Sequence, residues 1–149
     1  MNINQKEINI KNLLKNYSIE TTPNVYKKYG KFSELVPLKS SIYITYLPDE
    51  NYLNIVDTAK KLIDEGYEVV PHLPSRRMKD ISDLETYIGS LSEKSGCKKI
   101  LVIGGEGKQK GEISSSLDVL KTDLLSKYQF KEVGLAGHPE GNPNVSEKE

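Results

Sequence analysis

The sequence predicts an α/β protein built around a parallel β-sheet. Short apolar runs rich in β-branched residues alternate with segments of helical periodicity, in units of roughly 25 to 35 residues. Polar side chains fall at the ends of these runs, as they do where strands of a parallel α/β protein leave the core and build a site. Strands separated by single helices imply right-handed crossovers between parallel neighbours.

Composition limits the class of protein and its partners. The 149 residues are 36% hydrophobic and 28% charged, which is typical of a globular domain. Lys+Arg and Asp+Glu number 21 each, so no net charge is available to hold nucleic acid or an anionic membrane surface. No stretch has the apolar length of a signal peptide or a membrane span, and we expect a cytoplasmic protein. The single Cys97 cannot form an internal disulfide and is interpreted as a small buried residue.

The elements follow one another regularly within a single domain, 1–149. In the leading segment 1–16, apolar residues recur at roughly helical spacing and predict an amphipathic helix over 4–16 that covers one end of the core. The predicted strands are the apolar runs 17–20, 41–47, 67–72, 99–104 and 132–137. The predicted helices are 25–38, 54–65, 82–93 and 114–127, with Gly66 and Gly96 at helix ends and Ser114 to Ser116 as caps. Residues 142–149 form a polar tail.

Two architectures satisfy this alternation. A doubly wound open sheet would be complete at five strands, whereas a (β/α)₈ barrel would be present only to about five of its eight units. Length favours the open sheet, because whole barrels typically need about 250 residues. The motifs at the strand ends favour the barrel.

Five such motifs occur in order between about Tyr17 and Pro143. Each is similar to a motif of one known family, in which the corresponding sequences are S-F-E-F-F-P, V-T-Y, P-H-L, L-R-G-D and A-x-Y-P-E-x-H-P. In this chain they are Ser18-Ile-Glu20-Thr-Thr-Pro23, Ile44-Thr45-Tyr46, Pro71-His72-Leu73, Ile103-Gly104-Gly105-Glu106 and Ala136-Gly-His138-Pro-Glu140-Gly-Asn142-Pro143. The series resembles the methylenetetrahydrofolate reductases, which are flavin-dependent barrels of one-carbon metabolism.

The resemblance implies an oxidoreductase that reduces 5,10-methylenetetrahydrofolate to 5-methyltetrahydrofolate, a product used in methionine biosynthesis. It implies FAD as cofactor and NADH or NADPH as electron donor. Glu20 would be the catalytic acid that protonates the leaving ring nitrogen of the folate, provided that burial raises its pKa. Glu106 would also contact the folate substrate. The cofactor-binding residues carried over by the resemblance are Thr45, Tyr46, His72, Gly104, Gly105, Glu106, Ser116, Ala136, His138 and Asn142.

The resemblance also implies the N-terminal portion of a TIM-type (β/α)₈ barrel. Five strands would leave two open edges, to be covered by a missing C-terminal half or by a second copy in a homo-oligomer, and without that cover the isolated chain need not be active. Departures from the family cluster at the cofactor: Gly104 and Asn142 replace an arginine and a histidine, and His138 replaces a tyrosine. They motivate an alternative, a non-catalytic pterin- or nucleotide-binding or interaction module without redox activity. A third reading is an open-sheet nucleotide-binding protein.

Two other features of the sequence are interpreted conservatively. His72 and His138 are the only histidines, and no H-x-E or H-x-x-x-H spacing accompanies them, so we expect no metal site. The glycine-rich segment 104–111 matches neither phosphate-loop pattern, and close approach of its backbone to a flat ring explains Gly104 and Gly105 better. The basic segment 75–79 could attract an anionic tail, although a solvated loop is the preferred reading.

Overall fold

A computed structural model describes residues 3–13, 15, 17–105 and 108–137. They form an α/β protein, as predicted. The strands are β1 (Ser18–Thr21), β2 (Ser41–Ile44), β3 (Glu68–Pro74), β4 (Lys99–Ile103) and β5 (Glu132–Leu135). The helices are α1 (Ile3–Leu13), α2 (Pro23–Tyr29), α3 (Tyr52–Asp64), α4 (Ile81–Ser90), α5 (Ser116–Leu120) and α6 (Leu124–Lys127).

All five strands belong to one sheet, and every neighbouring pair is parallel. The strand order is β1-β2-β3-β4-β5, so each strand lies beside the strand that precedes it in the chain. A doubly wound sheet reverses its order at a switch point. The described strands have no such reversal, and their carboxyl ends all meet at one edge.

One face of the sheet forms the core. Side chains at alternate strand positions, among them Ile42, Ile44, Ile100 and Val102, are fully buried. They belong to one apolar cluster with side chains of α3 and α4, such as Ile55 and Leu84. Helix α2 contacts α3, α3 contacts the π-helical turn Leu91–Ser95 that continues α4, and α4 contacts α6, so these helices form a single layer on this face.

The intervening positions point to the other face, which we call the open face. Its side chains lie outside the apolar cluster formed with the helices. Tyr43, Leu101 and Ile103 are only half-buried there. From β1 to β5 the face carries Ser18 and Glu20, Ser41 and Tyr43, Glu68, Val70 and His72, Lys99, Leu101 and Ile103, and Glu132 and Gly134.

The leading helix forms, and its side chains from Gln5 to Asn12 do not pack on the core. Every side chain from Gln5 to Asn12 is exposed, with Ile8 at 46% and Ile10 at 55%. Residues two positions apart lie on nearly opposite sides of a helix, so these two isoleucines cannot form one apolar stripe. Side chains 5–12 therefore do not cover the core, whereas those of Ile3, Leu13 and Leu14, on which the prediction also depends, lie outside the described side chains.

Two other predicted helices are shorter than expected. The prediction of one helix over 114–127 is wrong: α5 and α6 are separate, and the Thr122 hydroxyl donates to the Val119 carbonyl at 2.7 Å where α5 ends. Helix α2 stops at Gly30, which has a φ of 72°, and a 3₁₀ turn at Phe32–Glu34 follows. None of the helices in the described ranges is long and apolar enough to cross a membrane.

Candidate functional site

Three polar side chains from successive strands meet at the carboxyl edge of the open face. The Thr45 hydroxyl donates a hydrogen bond of 2.7 Å to Oε1 of Glu20. Nε2 of His72 lies 3.5 Å from the same oxygen. Any two of Glu20, Thr45 and His72 are at least 25 positions apart in the sequence, and the parallel sheet brings them together. Glu20 and His72, predicted as site residues from different motifs, therefore belong to one cluster.

The strand register explains why these positions converge. Glu20 pairs with Tyr43, so Thr45 lies two residues beyond it on the same face of the sheet. The Thr45 amide donates to the Thr21 carbonyl at 2.9 Å, which continues the pairing of β1 and β2 past the end of β2. The Tyr43 ring meets the His72 imidazole edge-on, with 6.2 Å between ring centroids. The carboxylate is thereby held in front of the imidazole.

The two titratable groups of the cluster differ in exposure. His72 is 8% exposed, whereas the Glu20 side chain is 57% exposed. Burial lowers the pKa of His72 below its usual 6.5, and the nearby Glu20 carboxylate opposes that shift. At neutral pH the imidazole is therefore uncharged and can either donate or accept a hydrogen bond. The arrangement is a nearly buried imidazole beside a carboxylate that a ligand can reach.

Tyr46, the neighbour of Thr45, turns towards the helix layer. Its ring packs edge-on against Tyr87 of α4 at 5.5 Å between centroids. Burial raises the pKa of the Tyr46 phenol, with Asp83 acting in the same direction and Arg77 opposing it. The structure thus separates two residues predicted to act together: Thr45 contacts Glu20, and Tyr46 packs behind the sheet.

The two glycines after β4 have different structural roles. At Gly105, φ is 83° and an added Cβ would lie 2.8 Å from Cβ of Pro74, so the local backbone requires glycine. An added Cβ at Gly104 would meet no atom of the described residues within 4 Å. The carbonyl of Gly104 accepts from the Arg76 amide at 3.0 Å and from the Ser75 hydroxyl at 3.3 Å. Gly104 therefore leaves space that the described part of the fold does not fill.

The loops after β3 and β4 are fastened to each other. Nε of Arg76 donates to the Ser114 carbonyl at 2.9 Å, and the Lys110 amide donates to the Arg76 carbonyl at 2.8 Å. Backbone approaches backbone so closely at Gly111 that an added Cβ would lie 1.8 Å from the Lys79 carbonyl oxygen. The Arg77 guanidinium donates to the Leu47 carbonyl at 3.0 Å. This basic segment thus ties loops together along the carboxyl edge.

The remaining predicted residues lie at the rim or beyond the described ranges. Ser116 is the first residue of α5, whose cap is Ser115 in a capping box with Asp118, so the predicted capping role of this serine run is confirmed. Ala136 follows β5 and is exposed. Glu106, His138 and Asn142 lie outside the described residues.

Sequence reasoning missed a second polar row on the open face, at its amino edge. Nζ of Lys99 lies 3.1 Å from Oε2 of Glu68 and 2.9 Å from Oε1 of Glu132. The Ser41 hydroxyl donates to Glu68 at 3.1 Å. These hydrogen bonds lower the pKa of Glu68, Lys99 contributing most. The sequence could have indicated this row by position alone, because each of these four residues is the first of its strand.

Between the two polar rows the open face is apolar. A cleft of about 360 Å³ is lined by Tyr43, Val70, Leu101 and Gly134, with Lys99 and Glu132 at its amino end. Within the described ranges, no group of three or more His, Cys, Asp or Glu side chains is arranged to hold a metal ion. No protein-family model matches this chain. The likeness to the reductases therefore depends on the strand-end motifs themselves.

Proposed function

We propose that this chain is part of a flavin-dependent oxidoreductase of the methylenetetrahydrofolate reductase type, with its site at the carboxyl edge of the open face. One observation carries the proposal: Glu20, the position of the proposed acid, shares its carboxylate oxygen with Thr45 and His72, two positions of the proposed flavin site. Three of the five motifs that carry the family resemblance are thus neighbours in space, although they are distant in sequence.

We also propose that the sheet is a portion of a (β/α)₈ barrel. The sequential strand order, the single layer of helices and the polar cluster at the carboxyl ends all support this architecture. Val133 and Leu135 of β5 support it too, since they are 39% and 52% exposed and would be covered by a further βα unit. Amide exchange in β5 tests the proposal: slow exchange on both sides of the strand indicates a paired edge, whereas fast exchange indicates a terminal strand.

The described residues fit the ring portion of a flavin. His72 offers a neutral imidazole, Thr45 a hydroxyl, and Gly104 a space that no described atom fills. A bound flavin would supply the hydride in this chemistry. The task of this chain's own residues would be to hold the ring at the sheet edge and to deliver a proton to the second substrate.

Glu20 would supply that proton. A carboxyl group acts as a general acid near neutral pH only when burial favours its protonated form. The Glu20 side chain is 57% exposed, so the required desolvation would come from a ligand stacked on the open face. The hydrogen bond from Thr45 would hold one oxygen in place and leave the other facing the ligand.

The test is the visible spectrum of the purified chain with FAD, followed by addition of reduced nicotinamide and then methylenetetrahydrofolate. We expect flavin absorbance that is bleached by the nicotinamide and restored by the folate. Glu20→Gln is expected to retain FAD and to lose restoration by the folate. Glu132→Gln is the matched control, because it alters a carboxylate at the opposite end of the same face. Absence of FAD binding at concentrations well above those of the protein would overturn the proposal.

A second candidate is a binding module that has lost redox activity. The observation that favours it is the use of Arg76 and Arg77 to hold loop carbonyls, together with glycine at position 104 where the family has arginine. Fewer cations are then available for the flavin diphosphate. Calorimetry with a reduced pterin in the absence of FAD separates the candidates: binding without any flavin dependence favours the module.

A further inference from the structure

We infer that Tyr87, a residue of the helix layer, positions the His72 imidazole against Glu20. The inference rests on the proposed function for the identity of the ligand, and on separate contacts for its geometry. Tyr87 is 1% exposed, and its hydroxyl donates to the backbone carbonyl of His72 at 2.9 Å. A buried phenol on the core side therefore holds the same residue whose side chain faces the site.

The phenol itself is held by two other tyrosines. Tyr46 follows β2 and Tyr52 begins α3, and their rings meet the Tyr87 ring edge-on at 5.5 and 5.8 Å between centroids. Edge-on pairs of this kind fix ring orientation. Burial keeps the pKa of the Tyr87 phenol well above its usual 10.0, so the hydroxyl remains protonated and continues to donate. The donor position is thus set by three elements of the core layer.

Tyr87 affects the site through the contact between His72 and Glu20. Nε2 of His72 lies 3.5 Å from Oε1 of Glu20, at the outer limit of a hydrogen bond. A small rotation of the His72 peptide would swing the imidazole and break or shorten this contact. The Tyr87 hydroxyl opposes that rotation. Besides Glu20 of β1, the titratable groups facing His72 are Tyr43 of β2 on the open face and Tyr87 of α4 on the core side.

The experiment is a double-mutant cycle read by NMR titration of the His72 imidazole. The chain has only two histidines, so His138→Gln assigns the signals. Glu20→Gln is expected to lower the pKa of His72, because the carboxylate stabilises the imidazolium. In a Tyr87→Phe background we expect that decrease to shrink by about half or more, as coupled pairs do when their geometry is lost. Tyr52→Phe is the matched control and is expected to retain the full decrease.

An equal decrease in the wild-type and Tyr87→Phe backgrounds would overturn the inference, as would the absence of any decrease on Glu20→Gln. If Tyr87→Phe does not fold, 4-fluorophenylalanine at position 87 fills the space of the hydroxyl without donating, and the same cycle applies. The titration uses the chain without flavin. Failure of FAD binding would therefore overturn the proposed function and leave this result intact, and the reverse also holds.

Discussion

The two ends of the open face both carry a row of polar side chains, but only one row contains a cation. At the amino edge, Lys99 lies between the carboxylates of Glu68 and Glu132 within 3.1 Å of each. At the carboxyl edge, Glu20 is met by a hydroxyl and by an imidazole that burial keeps neutral. In the first row a cation contacts both carboxylates, although one of their two negative charges remains, whereas in the second row the described partners of Glu20 are uncharged.

Glutamate thus has a structural role at the amino edge and a proposed chemical role at the carboxyl edge. Lys99 satisfies the carboxylates at the amino edge, so a ligand there would have to displace an existing ion pair. At the carboxyl edge, by contrast, the described partners of Glu20 include no lysine or arginine that a ligand would have to displace. In parallel (β/α) barrels, functional residues generally lie at the carboxyl edge of the strands, whereas residues at the opposite edge contribute to stability.

The largest effect is expected from Glu20→Gln. Loss of a general acid typically slows a reaction by about 100-fold or more, and we expect that reduction in the rate at which folate reoxidises the reduced flavin. Stopped-flow absorbance measures it. Glu132→Gln is expected to change the same rate less than about twofold, since it lies at the other end of the face. Equal losses in the two variants would contradict the distinction between the two ends.

The next effect concerns the adjacent glycines. Gly104→Arg adds a guanidinium at a position where a Cβ would meet no described atom within 4 Å, and we expect FAD to bind about tenfold more tightly, as one charge-assisted hydrogen bond allows. Fluorescence titration of FAD measures this change. Gly105→Ala is the control for backbone requirement, because its φ of 83° and the nearby Pro74 ring make it destabilising by about 1 kcal/mol or more. Unchanged FAD affinity in a folded Gly104→Arg protein would count against a flavin at this edge.

A smaller effect is expected at the amino edge from Lys99→Met. The substitution leaves Glu68 and Glu132 without their shared cation, and we expect the free energy of unfolding to fall by about 1 kcal/mol, because such partly exposed pairs contribute little. Urea denaturation at low and high salt measures it, and the difference is expected to shrink at high salt. FAD affinity is expected to stay the same. A loss of FAD affinity with normal stability would mean that the two ends are not independent.

The smallest effect is a pH dependence of stability due to His72. Its folded pKa lies below the usual 6.5, so the unfolded chain takes up the proton first as the pH falls. The stability associated with the neutral imidazole is therefore complete above about pH 6.5 and is lost as the pH falls below it. Urea denaturation of wild type and His72→Gln at several pH values measures the effect, and His138→Gln separates the contribution of the second histidine. A constant difference between wild type and His72→Gln would show that His72 does not titrate differently on folding.

Much of the fold could be predicted from sequence because the strands correspond to apolar runs in the sequence. All five predicted strands form, and Gly96 ends its helical segment in the left-handed conformation, as expected. The helix predicted over 82–93 continues to Ser95 through a π-helical turn, which periodicity does not reveal. The break between α5 and α6 was missed because a single threonine hydroxyl bond competes with the helix, and apolar spacing is insensitive to it.

The candidate site was predictable in part for the same reason. Parallel strands bring their carboxyl ends together, so Glu20 and His72 could be placed at one edge from their positions alone. The distribution of Thr45 and Tyr46 to opposite sides was also within reach, because neighbouring residues of a strand face opposite ways, but the family resemblance assigned both to the cofactor. Tyr87 was hidden: within the sequence it is one more aromatic residue of a helix, and its contact with the His72 carbonyl arises only from packing.

The sequential strand order also bears on how the chain acquires its structure. Each strand pairs with the one synthesised immediately before it, and only short helical segments and loops lie between them. Such pairing keeps the mean sequence separation of contacts low for a parallel sheet, which speeds folding. The carboxyl-edge cluster is complete once His72 has joined β3 to β2. We therefore expect the Glu20–His72 contact to form during translation, before β4 and β5 have left the ribosome.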